Sequence, residues 1–451
     1  MNRKDAKDAK AEDRELLALS PDSWPFSLAL LPVPIYMVGG AVRDALLGRR
    51  REYLDLDFIV PSDAVQTART IANHYQAGFV VLDAQRQIAR VVFKDATADF
   101  AQQEGDSLAT DLRRRDFTVN AIAFNPHTGE LIDPLQGNAD LQQGIIRMVS
   151  PANLEDDPLR LLRAYRQAAQ LGFAIEDETR STIRQLAPLL AQIAAERVRV
   201  ELGYLLSSPQ GTPWLNVAWS DGILRSILHD DVTATNLALV AQIDRASAKM
   251  AEIWPQIGVE LSSGVPGLAA DSKRTWMAIA KLTCLLIPAI SLSEIDELNV
   301  SLNYTRADIH VENSSVEDFL KEMKYSVAEI RAVNTILKFL PQLRKAPMSV
   351  REQYFMFREV GVVFPALVLV AVAVGIPIEG IATLCDRYLT PSDRVAHPTP
   401  LVTGKDLMQA LNLPSGPQIG QLLTAIQLAR IEGRISTAAE ALEFAKLHQK
   451  S

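Results

Sequence analysis

Two aspartates stand two positions apart in Asp55-Leu56-Asp57-Phe58-Ile59-Val60. Residues i and i+2 of a strand share a face, so Asp55 and Asp57 project side by side while Leu56, Phe58 and Val60 turn into a core. Neighbouring carboxylates repel unless a cation sits between them. Hard oxygen ligands of this kind suit Mg²⁺, and metal ions held in this way stabilise both the attacking and the leaving oxygen of a phosphoryl transfer. Taken alone, the pair also matches a solvated strand edge. Just upstream, Val38-Gly39-Gly40-Ala41-Val42-Arg43-Asp44 ends a β-rich run, places two glycines and opens a helix. Gly39 and Gly40 let the backbone turn sharply and bring N–H groups close to an anion, the helix N-terminus adds its positive end, and Arg43 adds a fixed charge. A Gly-Gly pair before a helix is often only a tight turn. Next to Asp55 and Asp57, the metal-and-phosphate reading is the better one.

Two further clusters belong with these. Arg113-Arg114-Arg115-Asp116-Phe117-Thr118-Val119-Asn120 reads as a basic entry into an apolar strand, with Asp116 and Asn120 able to read a ribose. Asp99, closing a β-rich run, offers a third carboxylate. In Glu155-Asp156-Asp157-Pro158 the Asp-Pro pair reads as a helix start, with Asp157 as cap and Pro158 in the first position. Arg160, Arg163 and Arg166 then recur on one side of that helix. An Arg fork and an Asp acceptor together imitate the hydrogen-bonding edge of a base; a solvated arginine-rich face is the plain alternative.

The elements that must hold these groups come in two textures. From Ile35 to about Ser150, short β-rich runs (35–38, 54–60, 79–82, 88–93, 121–124, 145–149) alternate with helical stretches at 41–47 and 62–74. After Pro151 the strand signal fades, and 157–171, 178–193 and 195–207 read as helices. The fold class is α+β: a mixed or antiparallel sheet with helices, then a long all-α remainder. The expected divisions are an N-terminal arm at 1–33, a head at 34–150, a neck at 151–210, a helical body at 211–345 and a helical tail at 346–451. The uncharged run 361–377 is 17 residues long, short for a membrane span, and reads as a buried core helix. Cys284 and Cys385 form no CxxC, which argues against a zinc site or a disulfide framework and fits the cytoplasm. A net charge of −8 excludes a large, uniformly basic nucleic-acid surface. The positive charge is local, at Arg43, Arg49–Arg51, Arg113–Arg115, Arg160, Arg163 and Arg166, which leads us to expect weak, salt-sensitive binding of a nucleic acid.

The whole set resembles the class II tRNA nucleotidyltransferases, the CCA-adding family of the polymerase-β superfamily, which includes bacterial poly(A) polymerases. GGAVRDALLG at 39–48 with DLD at 55–57 is similar to the family's first motif, and RRDFTVNA at 114–121 to its second. IDPLQGNADLQQGIIR (132–147), EDDPLRLLRAYR (155–166), AAERVRVEL (194–202) and LVTGKDLMQALNLPSGPQIGQLL (401–423) resemble later segments. The resemblance implies a polymerase-β-type nucleotidyltransferase head followed by an all-α neck, body and tail. It implies that Asp55 and Asp57 bind catalytic Mg²⁺, that Gly40 and Arg43 hold the nucleotide's phosphates, and that Arg115 with Asp116 contacts it near ribose and phosphates. Asp157 and Arg160 would read the base edge, supported by Arg163 and Arg166. The partners implied are CTP, with ATP a further candidate, and a tRNA gripped by its acceptor arm.

Two departures carry information. Asp156 stands where the family has Glu. Full CCA-adding members carry a long flexible loop between the positions of Asp99 and Arg114, containing an Arg-Arg-Pro element. This chain has 14 residues there, FAQQEGDSLATDLR, with neither that element nor a Tyr. Loss of the loop marks members that add only the two cytidines, so the expectation is a CC-adding enzyme that passes its product to a separate A-adding enzyme. The alternatives are a full CCA-adding enzyme, a poly(A) polymerase, a small-molecule nucleotidyltransferase and, in another class, a catalytically idle tRNA-binding protein. His229-Asp230 suggests a phosphohydrolase pair, but that chemistry needs more convergent ligands than six scattered His supply.

Overall fold

The computed structural model describes residues 19–49, 53–228, 233–266, 274–288, 308–344 and 348–448. They fall into two compact units: residues up to 194 together with 208–227, and residues 195–207 together with 228 onward. His229 and Asp230 lie outside the described residues.

The first unit opens with β1 (Tyr36–Val38), α1 (Gly40–Leu46), β2 (Leu54–Val60), α2 (Ala64–Tyr75), β3 (Gly78–Asp83), β4 (Ile88–Val92) and β5 (Ala96–Gln102). It continues through α3 (Leu108–Leu112), β6 (Ala123–Asn125), β7 (Glu130–Ile132), α4 (Gly137–Gln143), β8 (Ile145–Ile146), α5 (Pro151–Asp156), α6 (Leu159–Leu171), β9 (Ala174–Ile175) and α7 (Asp177–Leu186). Seven strands form one mixed sheet in the order β3-β4-β5-β2-β1-β6-β7. Only β2 and β5 run parallel within it. One face is a dry layer: Phe58 and Phe100 stack with ring centroids 5.2 Å apart, and Ala68 and Ile71 of α2 are buried. Trp24 and Phe26, from the proline-punctuated lead-in, pack edge-on against Phe58 at 5.1 and 5.9 Å.

Several elements depart from the sequence reading. The run around Asp99 is a full strand, so Asp99 sits mid-strand in β5. The segment after Arg113 is not a strand. Asp116 Oδ1 accepts from the Phe117 N–H and from Asn120 Nδ2, and Thr118–Asn120 closes as a 3₁₀ turn. A short polar side chain that bonds its own backbone competes with a sheet ladder. A helix, α5, precedes the Asp-Pro pair, so Asp157 is the joint between α5 and α6. Its Oδ1 still faces the Leu159 N–H at a long 3.4 Å. The helix expected at 178–193 changes to a 3₁₀ helix at Ala187–Gln192, where Pro188 stands in the first turn.

The second unit is helical. It begins with α8 (Ala195–Ser207), while the next helix, α9 (Gly211–Ser220), returns to the first unit. Then follow α10 (Ala234–Ile253), α11 (Pro255–Ser262), α12 (Trp276–Leu286), α13 (Asp308–Glu322), α14 (Val327–Arg344), α15 (Val350–Val360) and α16 (Phe364–Ala373). The last helices are α17 (Ile378–Leu389), α18 (Gly404–Leu411), α19 (Pro417–Ile431) and α20 (Ala438–His448). The uncharged run becomes α16, whose Phe364, Leu367 and Val370 are fully buried against α10, α12 and α14. Val350–Ala373 is long and apolar enough to cross a membrane by length and composition, but this share of it is packed inside the unit. Leu407, Ile426, Ala441 and Ala445 form a separate core among α18, α19 and α20. Cys284 and Cys385 are both buried and unbonded.

Candidate active site

Sheet register brings the first cluster together. Val38 pairs with Asp57 across the antiparallel β1–β2 ladder, and Asp57 pairs with Asp99 across the parallel β2–β5 ladder. Arg90 of β4 faces Asp99 in turn. Arg90, Asp99 and Asp57 therefore lie in one row, and the Gly39 turn leaves β1 at its end. Asp55 lies one strand repeat away, where Thr97 Oγ1 donates to its Oδ1 at 2.8 Å. Asp99 is held by a two-bond fork from Arg90, at 2.7 and 2.8 Å.

Gly39 is required twice over. Its φ of 74° and ψ of −141° lie in a region that side chains avoid. A Cβ there would stand 3.1 Å from Asp57 Oδ2 and 3.6 Å from Arg115 Nη1. So the turn, one carboxylate and one guanidinium share a small volume. Burial, with the charges of Asp55 and Asp99 added, pushes the Asp57 carboxyl up to about 7, against the pull of Arg115 and Arg90. A carboxylate made this costly to ionise by its neighbours is relieved by a divalent cation between it and Asp55, and the two offer the hard oxygens such an ion prefers. Among the described residues no group of three or more His, Cys, Asp or Glu is gathered for a metal. Asp55 and Asp57 thus fit a cation that takes its other ligands from elsewhere, such as the phosphates of a nucleotide.

Beside this row opens a cleft of about 180 Å³, lined among others by Ile59, Arg86, Arg114, Arg115, Asp156 and Arg160. Arg115 Nη2 lies 3.6 Å from Asp111, while its Nε is buried with no hydrogen-bond partner. Arg160 donates to the backbone carbonyls of Arg114 and Asn153 at 2.8 and 3.1 Å, tying α6 to the arginine turn. Asn153 reinforces the tie by donating to the carbonyls of Arg113 and Arg115, both at 2.8 Å.

Behind the cleft is a buried polar network. Arg163 Nε and Nη2 donate to Asp116 Oδ2 at 2.9 and 2.7 Å. Burial alone would raise Asp116, but the Arg163 guanidinium and the bonds from Asn120 and the Phe117 N–H outweigh it and hold the carboxyl below the usual range. Arg43 is only 8% exposed; it donates to Asp44 at 2.9 Å and to Asn120 Oδ1 at 2.7 Å. Arg43, Asp116, Asn120 and Arg163 are therefore joined in one chain of contacts, while Arg115, which lies against the Gly39 turn with Asp57, lines the cleft. Asp157 lies at the α5–α6 joint. Arg166 is not brought into this network by its bond to Gln170 Oε1, at 2.8 Å along the same helix.

Sequence reasoning missed four supporting groups. Thr97 and Arg90 hold Asp55 and Asp99, Asn153 holds the arginine turn, and Gln167 of α6 enters the buried network through Asp116 and Asn120. Arg90 had a signal, a lone arginine in the otherwise apolar run Ile88–Val92. Gln167, four residues after Arg163, had the helical spacing of a shared face.

Comparison with known proteins adds independent findings. The family model for the poly(A) polymerase head domain matches residues 35–147, and one for tRNA nucleotidyltransferase domain 2 matches 304–445. The chain is similar to a CC-adding tRNA nucleotidyltransferase of Synechocystis, 48% identical over 434 residues, which is 95% of this chain and 96% of that one. It is 32% identical to a CC-adding tRNA nucleotidyltransferase of Geobacter sulfurreducens, covering 91% of this chain and 90% of that one. Among solved structures, a CCA-adding enzyme in complex with CTP shares the fold at a TM-score of 0.63 and 23% identity, over 93% of this chain and 92% of that one.

Proposed function

The chain belongs to the tRNA nucleotidyltransferases, and from that premise we propose that it adds two cytidines from CTP to the 3′ end of tRNA, without a nucleic-acid template, and leaves the terminal adenosine to a separate enzyme. The observation that carries the chemistry is the convergence of Gly39, Asp57 and Arg115, with the Gly39 turn 3.1 Å from the carboxylate by the measure of an added Cβ.

In this reading Asp55 and Asp57 would hold Mg²⁺, and Asp99, fixed by Arg90 and paired with Asp57, stands beside them as a third carboxylate. Bound there, Mg²⁺ supplies charge neutralisation on the phosphates and lowers the pKa of the attacking hydroxyl. The tRNA 3′ oxygen forms its bond to the α-phosphorus of CTP, the bond from that phosphorus to the bridging oxygen breaks, and pyrophosphate leaves. In this reading the Gly39–Gly40 turn and the Arg115 guanidinium beside it face the phosphates. Asp157 and Arg160 meet the base edge at the start of α6. Arg43, Asp116, Asn120 and Arg163 act from behind, as the frame that holds those groups. The helical unit takes the acceptor arm, read by shape and backbone as RNA helices usually are. Such a substrate places the work in the cytoplasm.

Support for CC addition comes from the 14-residue interval after Asp99. It is short and closed on itself. Gln103 N–H donates to the Val60 carbonyl at 2.8 Å, Glu104 N–H to Asp111 Oδ2 at 2.9 Å, and Ser107 caps α3. A Cβ at Gly105 would stand 2.6 Å from Thr110. Four of its residues, Ala101, Gln102, Glu104 and Asp111, line the cleft from positions these bonds fix. The chemistry is tested with Asp55→Ala: incorporation of labelled cytidine is expected to fall at least about 10³-fold while tRNA binding changes only a few-fold. Retained incorporation would overturn the metal assignment.

A further inference from the structure

Gln167 is 2% exposed in the middle of α6, and it is the one uncharged side chain of that helix that reaches three members of the polar network. Its Oε1 accepts from Asn120 Nδ2 at 2.9 Å and lies 3.5 Å from Arg43 Nη1. Its Nε2 donates to Asp116 Oδ2 at 3.3 Å. Both Asn120 donors are thereby used, since Nδ2 donates to Asp116 and to Gln167, and Oδ1 accepts from Arg43. The three partners belong to two different pieces of the site. Arg43 lies on α1, whose first residue is Gly40 of the phosphate turn. Asp116 and Asn120 stand one and five residues after Arg115, and Gln167 shares a helix with Arg160, seven residues back.

We propose that Gln167 is a positioning residue for nucleotide choice: it fixes the register between the phosphate-and-metal half of the site, on β1, α1 and β2, and the base-reading half, at the start of α6. The reason is geometric. The triphosphate is held by the sheet side and the base edge by the helix side, so an error in their relation misplaces the base even when both halves stay intact. Misplacement of about 1 Å can cost on the order of 10²-fold. Cytosine and uracil differ at one exocyclic group, an amine donor against a carbonyl acceptor, so the loss falls on discrimination between them. An amide suits the post because its oxygen accepts from Asn120 and faces Arg43 while its nitrogen donates to Asp116. Arg163, by contrast, supplies charge to Asp116 through a two-bond fork.

This inference rests on the nucleotidyltransferase reading, so the test begins with the wild-type enzyme, a tRNA lacking its CCA end, and CTP or UTP in separate reactions. No cytidine incorporation by the wild type would sink that reading, and the proposal that rests on it. With an active wild type, Gln167→Met removes all three polar contacts at similar volume. The CTP-over-UTP ratio of kcat/KM is expected to fall at least about tenfold, more than the change in kcat for CTP. Gln167→Glu keeps the acceptor toward Asn120 and Arg43 but sets a carboxylate against Asp116, and is expected to fall between the two. A discrimination ratio that stays at the wild-type value in either folded variant, whatever happens to melting temperature or total rate, overturns the proposal.

Discussion

Replacing Gly39 by alanine puts the geometry of the site under direct strain. The new Cβ adopts a φ of 74° and ψ of −141°, a conformation that costs a side-chain-bearing residue about 1–3 kcal/mol. It also stands 3.1 Å from Asp57 Oδ2, so the carboxylate must move by a few tenths of an ångström, or the turn must. For a unit of this size each kcal/mol lowers the melting temperature by about 2–4 °C, giving a loss of roughly 2–12 °C. Activity should fall further than stability, by roughly 10–100-fold, because the displaced atom is a metal ligand in the proposed site. Gly129 supplies the control: it has a φ of 75° but nothing within 4 Å of an added Cβ. Gly129→Ala should show the backbone penalty with cytidine incorporation near wild type. Thermal melts and initial rates on both variants separate the two effects. Equal activity in Gly39→Ala and Gly129→Ala would refute the claim that the turn is built around Asp57.

Other outcomes follow from the electrostatics. Since Asp57 is pushed up to about 7, divalent cations must displace a proton below that pH and find the carboxylate already ionised above it. Affinity for Mn²⁺ or Mg²⁺ should therefore be about tenfold weaker at pH 6 than at pH 8, with proton release visible by calorimetry in two buffers; equal affinity at both pH values contradicts the crowded carboxylate row. Arg163→Met leaves the buried Asp116 without its fork. The arginine side chain is 35% exposed, so the expected loss is about 1–3 kcal/mol, below that of a fully buried pair. Asp116 is held below the usual carboxylate range, so its contribution is present above about pH 4 and is lost as pH falls below that. The wild type should then lose more stability than Arg163→Met on acidification from pH 5 to 3, as measured by denaturant melts.

The parts of the site carried by local pattern were legible in the sequence. The i, i+2 spacing of Asp55 and Asp57 put both on one face of β2, and the Gly-Gly pair marked the strand-to-helix turn. What could not be read was register. Nothing in the chain says that Val38 pairs with Asp57 or Asp57 with Asp99, because strand pairing is set by the packed core of Phe58 and Phe100 and by the α2 crossover. Asp99 reads as the end of a run because β5 is Ala-rich and has only one β-branched residue, Thr97, to announce a strand. The stretch after Arg113 was misread for the opposite reason. Its apolar residues suggest a strand, yet Asp116 bonds the neighbouring backbone and Asn120 and turns the chain. On α6 the arginine stripe was visible, but which of its members face the head depends on the roll of the helix. Arg163 and Gln167 meet Asp116, whereas Arg166 bonds Gln170.

The central claim is a pocket that accepts cytidine and stops. A tRNA transcript lacking its 3′ CCA, incubated with the purified protein, CTP and ATP together and resolved at single-nucleotide length, tests it most directly. The expected product is longer by two nucleotides, both cytidine, and does not grow further when ATP is raised. A product three nucleotides longer ending in adenosine, or an extended adenosine tail, would contradict the account.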